Sequence, residues 1–181
     1  MKFFVIIVLA LIICSCNTIR DESFGLDNDL PDDEGFYLAQ NAGFSLRYKV
    51  VNDQDLECIL TANSTGWIAV GFNPSNQMKD ANIIIGYVED GVGHIRDDWG
   101  TGNVSHEADV FLGGSSDVTL ISATEVGGVT SLHFRIPLDS GDSFDRVLIL
   151  GVSYPVIFAK GTDNDFYSSH YGLGQTIITI R

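Results

Sequence analysis

Positive charge is scarce in this chain: 10 lysines and arginines stand against 24 aspartates and glutamates in 181 residues, a formal net charge of −14. A surface that grips nucleic acid needs clustered Lys and Arg to neutralise phosphates. No such cluster occurs, so nucleic-acid binding is excluded. The same acidity repels anionic lipid and steers the molecule towards a basic partner surface. Cysteine and methionine are nearly as sparse, at 3 and 2 residues. No window shows a helical hydrophobic period and nothing repeats at a fixed spacing, which removes helical and repeat architectures from consideration.

What the chain does have, at its start, is an export segment. MKFFVIIVLALIICSC places Lys2 ahead of an unbroken apolar run from Phe3 to Ile13. That pattern fits a signal-peptide h-region and is too short to span a bilayer as a mature helix. Residues 1–15 are therefore expected to be removed on export. Ile13-Cys14-Ser15-Cys16 resembles a bacterial lipobox, which would make Cys16 the lipidated first residue of a membrane-anchored lipoprotein facing the periplasm or cell surface. Ordinary cleavage nearby, giving a secreted protein, is the alternative. Cleavage before Cys16 removes Cys14, and acylation occupies Cys16, so Cys58 has no cysteine to pair with and no internal disulfide forms. Cys58 sits in the apolar run Leu56-Glu57-Cys58-Ile59-Leu60, the setting of a buried, inert thiol rather than a nucleophile. Residues 16–35 are rich in acids and turn formers and read as a tether; the Asn17–Glu34 part would reach roughly 60 Å at about 3.3 Å per residue.

The folded domain is expected over 36–181. Phe44, Leu46, Tyr48 and Val50 alternate with Ser45, Arg47 and Lys49, the period-2 signature of a strand with one wet face. Leu56 to Thr61, Gly66 to Phe72, Asn82 to Val88, Val118 to Glu125, Val129 to Pro137, Arg146 to Tyr154 and Thr176 to Ile180 are similar short runs bounded by Gly, Asn, Asp or Ser. Gly127-Gly128 is a two-residue hairpin signal. The chain therefore reads as all-β, an immunoglobulin-like antiparallel sandwich of about ten short strands, with function carried on its loops.

Two loops stand out. One, Asn73 to Asp80, holds Met78, the only methionine besides the initiator; the other, Gly161 to Gly174, reads GTDNDFYSSHYGLG and holds His170. Either residue alone is ordinary for a loop. The stretch GWIAVGFNPSNQMKDANIIIGYV from Gly66 to Val88, however, resembles the signature of the DOMON family, a Gly-Trp strand, a Gly-Phe-Asn loop ending in methionine, then an apolar strand. Later landmarks follow in order: Arg96-Asp97-Asp98, His133-Phe134-Arg135-Ile136-Pro137-Leu138, Val156 to Gly161, and His170 before a closing strand. The match runs from about Phe36 to Ile180.

In the heme-binding branch of that family, which includes the cytochrome domain of cellobiose dehydrogenases, the loop methionine and the late histidine are the axial ligands of a b-type heme. The resemblance implies that Met78 and His170 take those roles, in a six-coordinate heme b module that transfers single electrons and has no catalytic site of its own. Its partner would be an exported dehydrogenase or a membrane cytochrome. Thioether and imidazole together fill both axial positions and leave no site open for oxygen or substrate. No Cys-x-x-Cys-His occurs, so the heme would be held noncovalently. Phe72, Phe158, Tyr167 and Tyr171 flank the two loops and are expected to line the pocket. Other family members lack the heme ligands and are thought to bind sugars or other small molecules, and a heme-free carbohydrate-binding module is the alternative function. The remaining histidines, His94, His106 and His133, are scattered, and Asp97 and Asp98 point to opposite faces of a strand, which argues against an acid–base pair. Trp67, inside an apolar run, reads as core.

Overall fold

The computed structural model describes residues 30–181, so the signal segment 1–15, Cys16 and most of the tether lie outside the described residues. Within them, no helix is long and apolar enough to cross a membrane. Among the described residues, eleven strands form two antiparallel sheets. One sheet contains β1 (Tyr37–Asn41), β2 (Phe44–Val51), β3 (Asp55–Ala62), β8 (Thr119–Val126) and β9 (Val129–Pro137), ordered β1-β2-β3-β9-β8. The other contains β4 (Ile68–Phe72), β5 (Asn82–Glu89), β6 (Val92–Gly102), β7 (Ser105–Ala108), β10 (Ser153–Lys160) and β11 (Gly172–Thr179), ordered β11-β10-β4-β5-β6-β7. A single helical turn, α1 (Asp109–Leu112), follows β7.

Alternation builds the sandwich as the sequence requires. Leu46 and Tyr48 of β2 stand opposite Leu60 and Cys58 of β3, which stand opposite Leu132 and Phe134 of β9. All six are fully buried against Ile68, Val70 and Phe72 of β4 and Ile84 of β5. Burial pushes the Cys58 thiol up, away from the reactive thiolate. Gly127 and Gly128, at φ +62° and +80°, turn β8 into β9 with Val126 opposite Val129, the left-handed pair that a two-residue hairpin needs.

Three features depart from the sequence reading. The apolar run from Arg146 does not form a strand until Ser153. Gly151 at φ +80° turns the chain there, with Val152 N–H donating to Ile149 O and Gly151 N–H to Ile180 O. Of that run Leu148 is buried, while Val147, Ile149 and Leu150 are exposed. β1 and β7 were not expected, and of β6 only the stretch around Asp97 and Asp98 was read as strand, because these charged residues stand where a strand would ordinarily alternate apolar and polar. The ordered contacts also begin before Phe36: the Asp32 carboxylate accepts N–H bonds from Glu34 and Phe36 and pairs with Arg47 of β2, which also reaches Glu34.

Candidate functional site

The outer face of the six-stranded sheet is not covered by the second sheet. Across β10, β4 and β5 its side chains fall into two rows, Ile157 beside Gly71 beside Ile83, and Ala159 beside Ala69 beside Ile85. The small residues keep the centre low. Even a methyl group at Gly71 would stand 2.8 Å from Ile157 Cγ1. These residues form the apolar floor of a cleft of about 800 Å³, within the size range of small-molecule and cofactor sites. Met78 and His170 both line it.

Met78 stands on one wall, half-buried and packed against the cluster of Trp67, Ala69, Ala81, Ile83 and Ile85. Backbone bonds hold it there: Met78 N–H donates to Asn103 O at 3.2 Å, Ala81 N–H returns to Met78 O at 3.1 Å, and Asp80 N–H reaches Gly100 O at 2.8 Å. Gly100 lies so close beneath the loop that a Cβ there would collide with the Met78 carbonyl.

The opposite wall is the segment from Tyr167 to His170 with Leu173, Gly174 and Gln175. Trp67 ties it down, its indole N–H donating to Ser168 Oγ at 2.9 Å, while Arg96 donates to Phe166 O at 3.3 Å and lies over the Phe166 and Tyr167 rings. Asp165 accepts the N–H groups of Ser168 and Tyr167, and those two bonds hold its carboxyl below the usual carboxylate range. A side chain at Gly66 would run into the backbone of Thr162, so the loop base approaches the sheet where only glycine fits.

Of the four aromatic residues expected in the wall, Phe158 and Tyr167 line the cleft; Phe72 and Tyr171 do not. Period 2 explains the first correction: Phe72 lies on the inner face with Ile68 and Val70, fully buried between the sheets. Tyr171 points the other way, over Lys160, with its hydroxyl donating to Asn63 O at 3.3 Å. Phe158 is itself 1% exposed and stacks on Phe44 at 5.3 Å between ring centroids, so it meets the cleft only at its edge.

The sequence reading missed His106. β7 brings it to the cleft, and its ring Nδ1 bonds Asp98 Oδ2 at 2.5 Å. Asp98 is wholly buried and also receives Arg96 Nε at 2.6 Å. A proton on Nδ1 leaves Nε2 as the free nitrogen of that ring. The alternation of Arg96-Asp97-Asp98 did place Arg96 and Asp98 on one face; their pairing with a histidine eight residues on was visible only once β7 folded back onto β6. Trp67, at 4% exposure, is both core and cleft wall. His94 stacks on Tyr87 and His133 pairs with Glu57, neither lining the cleft.

A model of the DOMON domain matches residues 40–161. MOXD1 homolog 2 of Drosophila melanogaster is 30% identical over 109 residues, covering 60% of this chain and 14% of that protein. The chain thus spans a small part of the length of this curated relative. Among solved structures, the cytochrome domain of Myriococcum thermophilum cellobiose dehydrogenase superposes with a TM-score of 0.61 at 12% identity, covering 82% of this chain and 85% of that one. The cytochrome b domain of pyranose dehydrogenase from Coprinopsis cinerea gives 0.58 at 14% identity, covering 80% and 82%. At these identities the two likenesses speak for the fold.

Proposed function

This chain belongs to the DOMON family, and from that premise we propose that it is an electron-transfer module holding one noncovalent heme b between Met78 and His170. The observation that carries the proposal is that a thioether and an imidazole, 92 positions apart in sequence and on loops beyond opposite ends of β4, both line one apolar cleft. The donor set and the cavity both fit a flat, largely apolar macrocycle: Ala69, Gly71 and Ala159 keep the floor low, and Ile83, Ile85 and Ile157 exclude water from it. Met78 and His170 would hold the heme there, and the chemistry it would supply is the exchange of single electrons. The protein's part is then to hold the two ligands at a fixed separation, keep the floor dry and present an acidic surface to a basic partner such as an exported dehydrogenase or a membrane cytochrome. Acylation at Cys16 would keep the domain at a membrane, with the tether setting its reach. A Cys16→Ser protein that still partitions into membranes would end that part of the proposal.

The experiment is a visible spectrum of protein purified with heme supplied. The reduced protein should show sharp low-spin bands, and Met78→Ala and His170→Ala should each abolish them or convert the iron to high spin, His170→Ala more severely. His94→Ala and His133→Ala should leave the bands intact. Low-spin bands that survive loss of His170 and vanish with His106→Ala would move the imidazole ligand to the other wall. A colourless protein that binds a saccharide would favour the heme-free carbohydrate reading.

A further inference from the structure

On the inner face of the six-stranded sheet, away from the cleft, three carboxylates converge without basic partners. Asp97 projects inward from β6, Asp109 opens α1, and Asp145 lies on the connection between β9 and β10. One oxygen from each falls within 4.8 Å of the others. The ion pairs of this neighbourhood run elsewhere, Arg96 to Asp98 and Arg146 to Asp80.

Asp109 is wholly buried, and neither of its carboxylate oxygens has a hydrogen-bond partner. Asp97 is 2% exposed; its Oδ2 accepts the Asp117 N–H at 2.9 Å, while its Oδ1 has no partner. Asn82, diagonal to Asp97 across β5 and β6, donates its amide to Asp145 Oδ1 and leaves its own buried Oδ1 unpaired. Ser140 Oγ donates to Asp145 Oδ2 and so orients that carboxylate. Unpaired buried oxygens cost about 1–3 kcal/mol each when nothing replaces water, and buried carboxylates are ordinarily paired or bound to metal. Four such atoms gathered on Asn82, Asp97 and Asp109 require a common explanation.

We propose that Asp97, Asp109 and Asp145, with the Asn82 side-chain oxygen beside them, form a calcium site that ties β5, β6, α1 and the β9–β10 connection together. The ligand set is all oxygen, as a hard cation demands. The ligand set favours calcium, which accepts several carboxylate and amide oxygens in a flexible geometry, over magnesium, which demands a near-ideal octahedron and keeps most of its waters. Without a cation, burial and the neighbouring carboxylates push Asp109 up to about 8 and Asp97 to about 7, while burial and the nearby Asp117 push Asp145 up to about 6. Asn82 lies four residues beyond Met78 in the chain, so the site would also brace the base of the Met78 loop.

Thermal unfolding and calorimetric titration of the full mature protein, stripped with EDTA and then given calcium chloride or magnesium chloride, test this. One calcium should bind per chain and raise Tm by about 5–10 °C at 100 times its Kd, with a much smaller response to magnesium. Asp109→Asn keeps the shape, removes one charge and should abolish the calcium response. Asp145→Asn, at a less buried position, should weaken calcium binding at least tenfold and serves if the first variant does not fold. No calcium binding by the stripped wild-type protein would overturn the proposal. So would a calcium response that survives both substitutions, or a magnesium response equal to that of calcium.

Discussion

The loop carrying Met78 and the loop carrying His170 face each other across one floor, yet they are held by different kinds of bond. Around Met78 most bonds are backbone to backbone, from Asn73 N–H on Pro155 O through Ser75 on Lys79 and Lys79 on Asn76 to Met78 on Asn103, with Gly100 pressed against the loop from below and side-chain bonds added at Ser75 and Asp80. The loop from Gly161 to Tyr171 has backbone bonds only towards its two ends, where Gly161 N–H meets Trp67 O, Trp67 N–H meets Asp163 O and Tyr171 N–H meets Lys160 O. Its interior depends on three side chains, Trp67, Arg96 and Asp165. His170 itself is exposed. Backbone bonds with a glycine contact allow few alternatives, whereas long side chains on an exposed loop can exchange partners. The Met78 wall is therefore the fixed one, and the cleft should open from the His170 side.

The harshest way to break this contrast is to attack the fixed wall. Gly100→Val places a branched side chain where the Met78 carbonyl already sits and should destabilise the domain by about 3 kcal/mol, at the upper end of overpacking costs. For a chain of this length that lowers Tm by about 10 °C. Hydrogen exchange should quicken from Asn73 to Ala81 and leave 162–171 unchanged. An unaltered Met78 loop would show that the glycine contact does not hold it.

A milder change acts on the other wall. Trp67→Phe deletes the indole donor to Ser168 and part of a buried ring, costing about 2 kcal/mol. Exchange should quicken across 162–171, with the Met78 loop untouched. If both loops loosen together, the two walls are one cooperative unit and the contrast fails.

Sequence reading was strongest where physics is local and periodic. Phe44 to Val50 alternates, so β2 was legible; Gly127-Gly128 has few conformations that fit between two strands, so the β8–β9 hairpin was legible too. Arg146 to Tyr154 misled because apolar content marks a strand only when a partner strand is within reach, and Val147, Ile149 and Leu150 stay exposed instead. Met78 and His170 were singled out as candidates through a motif resemblance, since neither has a local pattern of its own. Phe72 was placed in the cleft from nearness in sequence, although strand parity sends it to the opposite face. His106 and the Asp97, Asp109, Asp145 group were invisible for a topological reason. Their members meet only after β7 returns along β6 and the β9–β10 connection crosses beneath, and in a chain with 24 acids no single aspartate stands out.

The smallest expected effect concerns Asp165, which organises the His170 loop from a half-buried position. Its carboxylate accepts two backbone N–H groups, from Ser168 and Tyr167, and those bonds favour the charged form in the folded protein. The folded value lies below the ordinary 3.8, so the contribution is fully present above that ordinary value and is lost as pH falls through the folded one. Acid should therefore loosen 162–171 only below about pH 4. Asp32, Glu57 and Asp142 are also held low, but they act on other elements and would lower stability without singling out this loop. Asp165→Ala should cost under about 1 kcal/mol and give, at neutral pH, the exchange pattern that the wild-type loop reaches only in acid. With the carboxylate gone, acid should no longer change the exchange of Tyr167 and Ser168 beyond its effect on the intrinsic rate. A variant loop that still loosens below pH 4 would mean that another acid holds the His170 wall, and the side-chain account of that wall would have to be rebuilt around it.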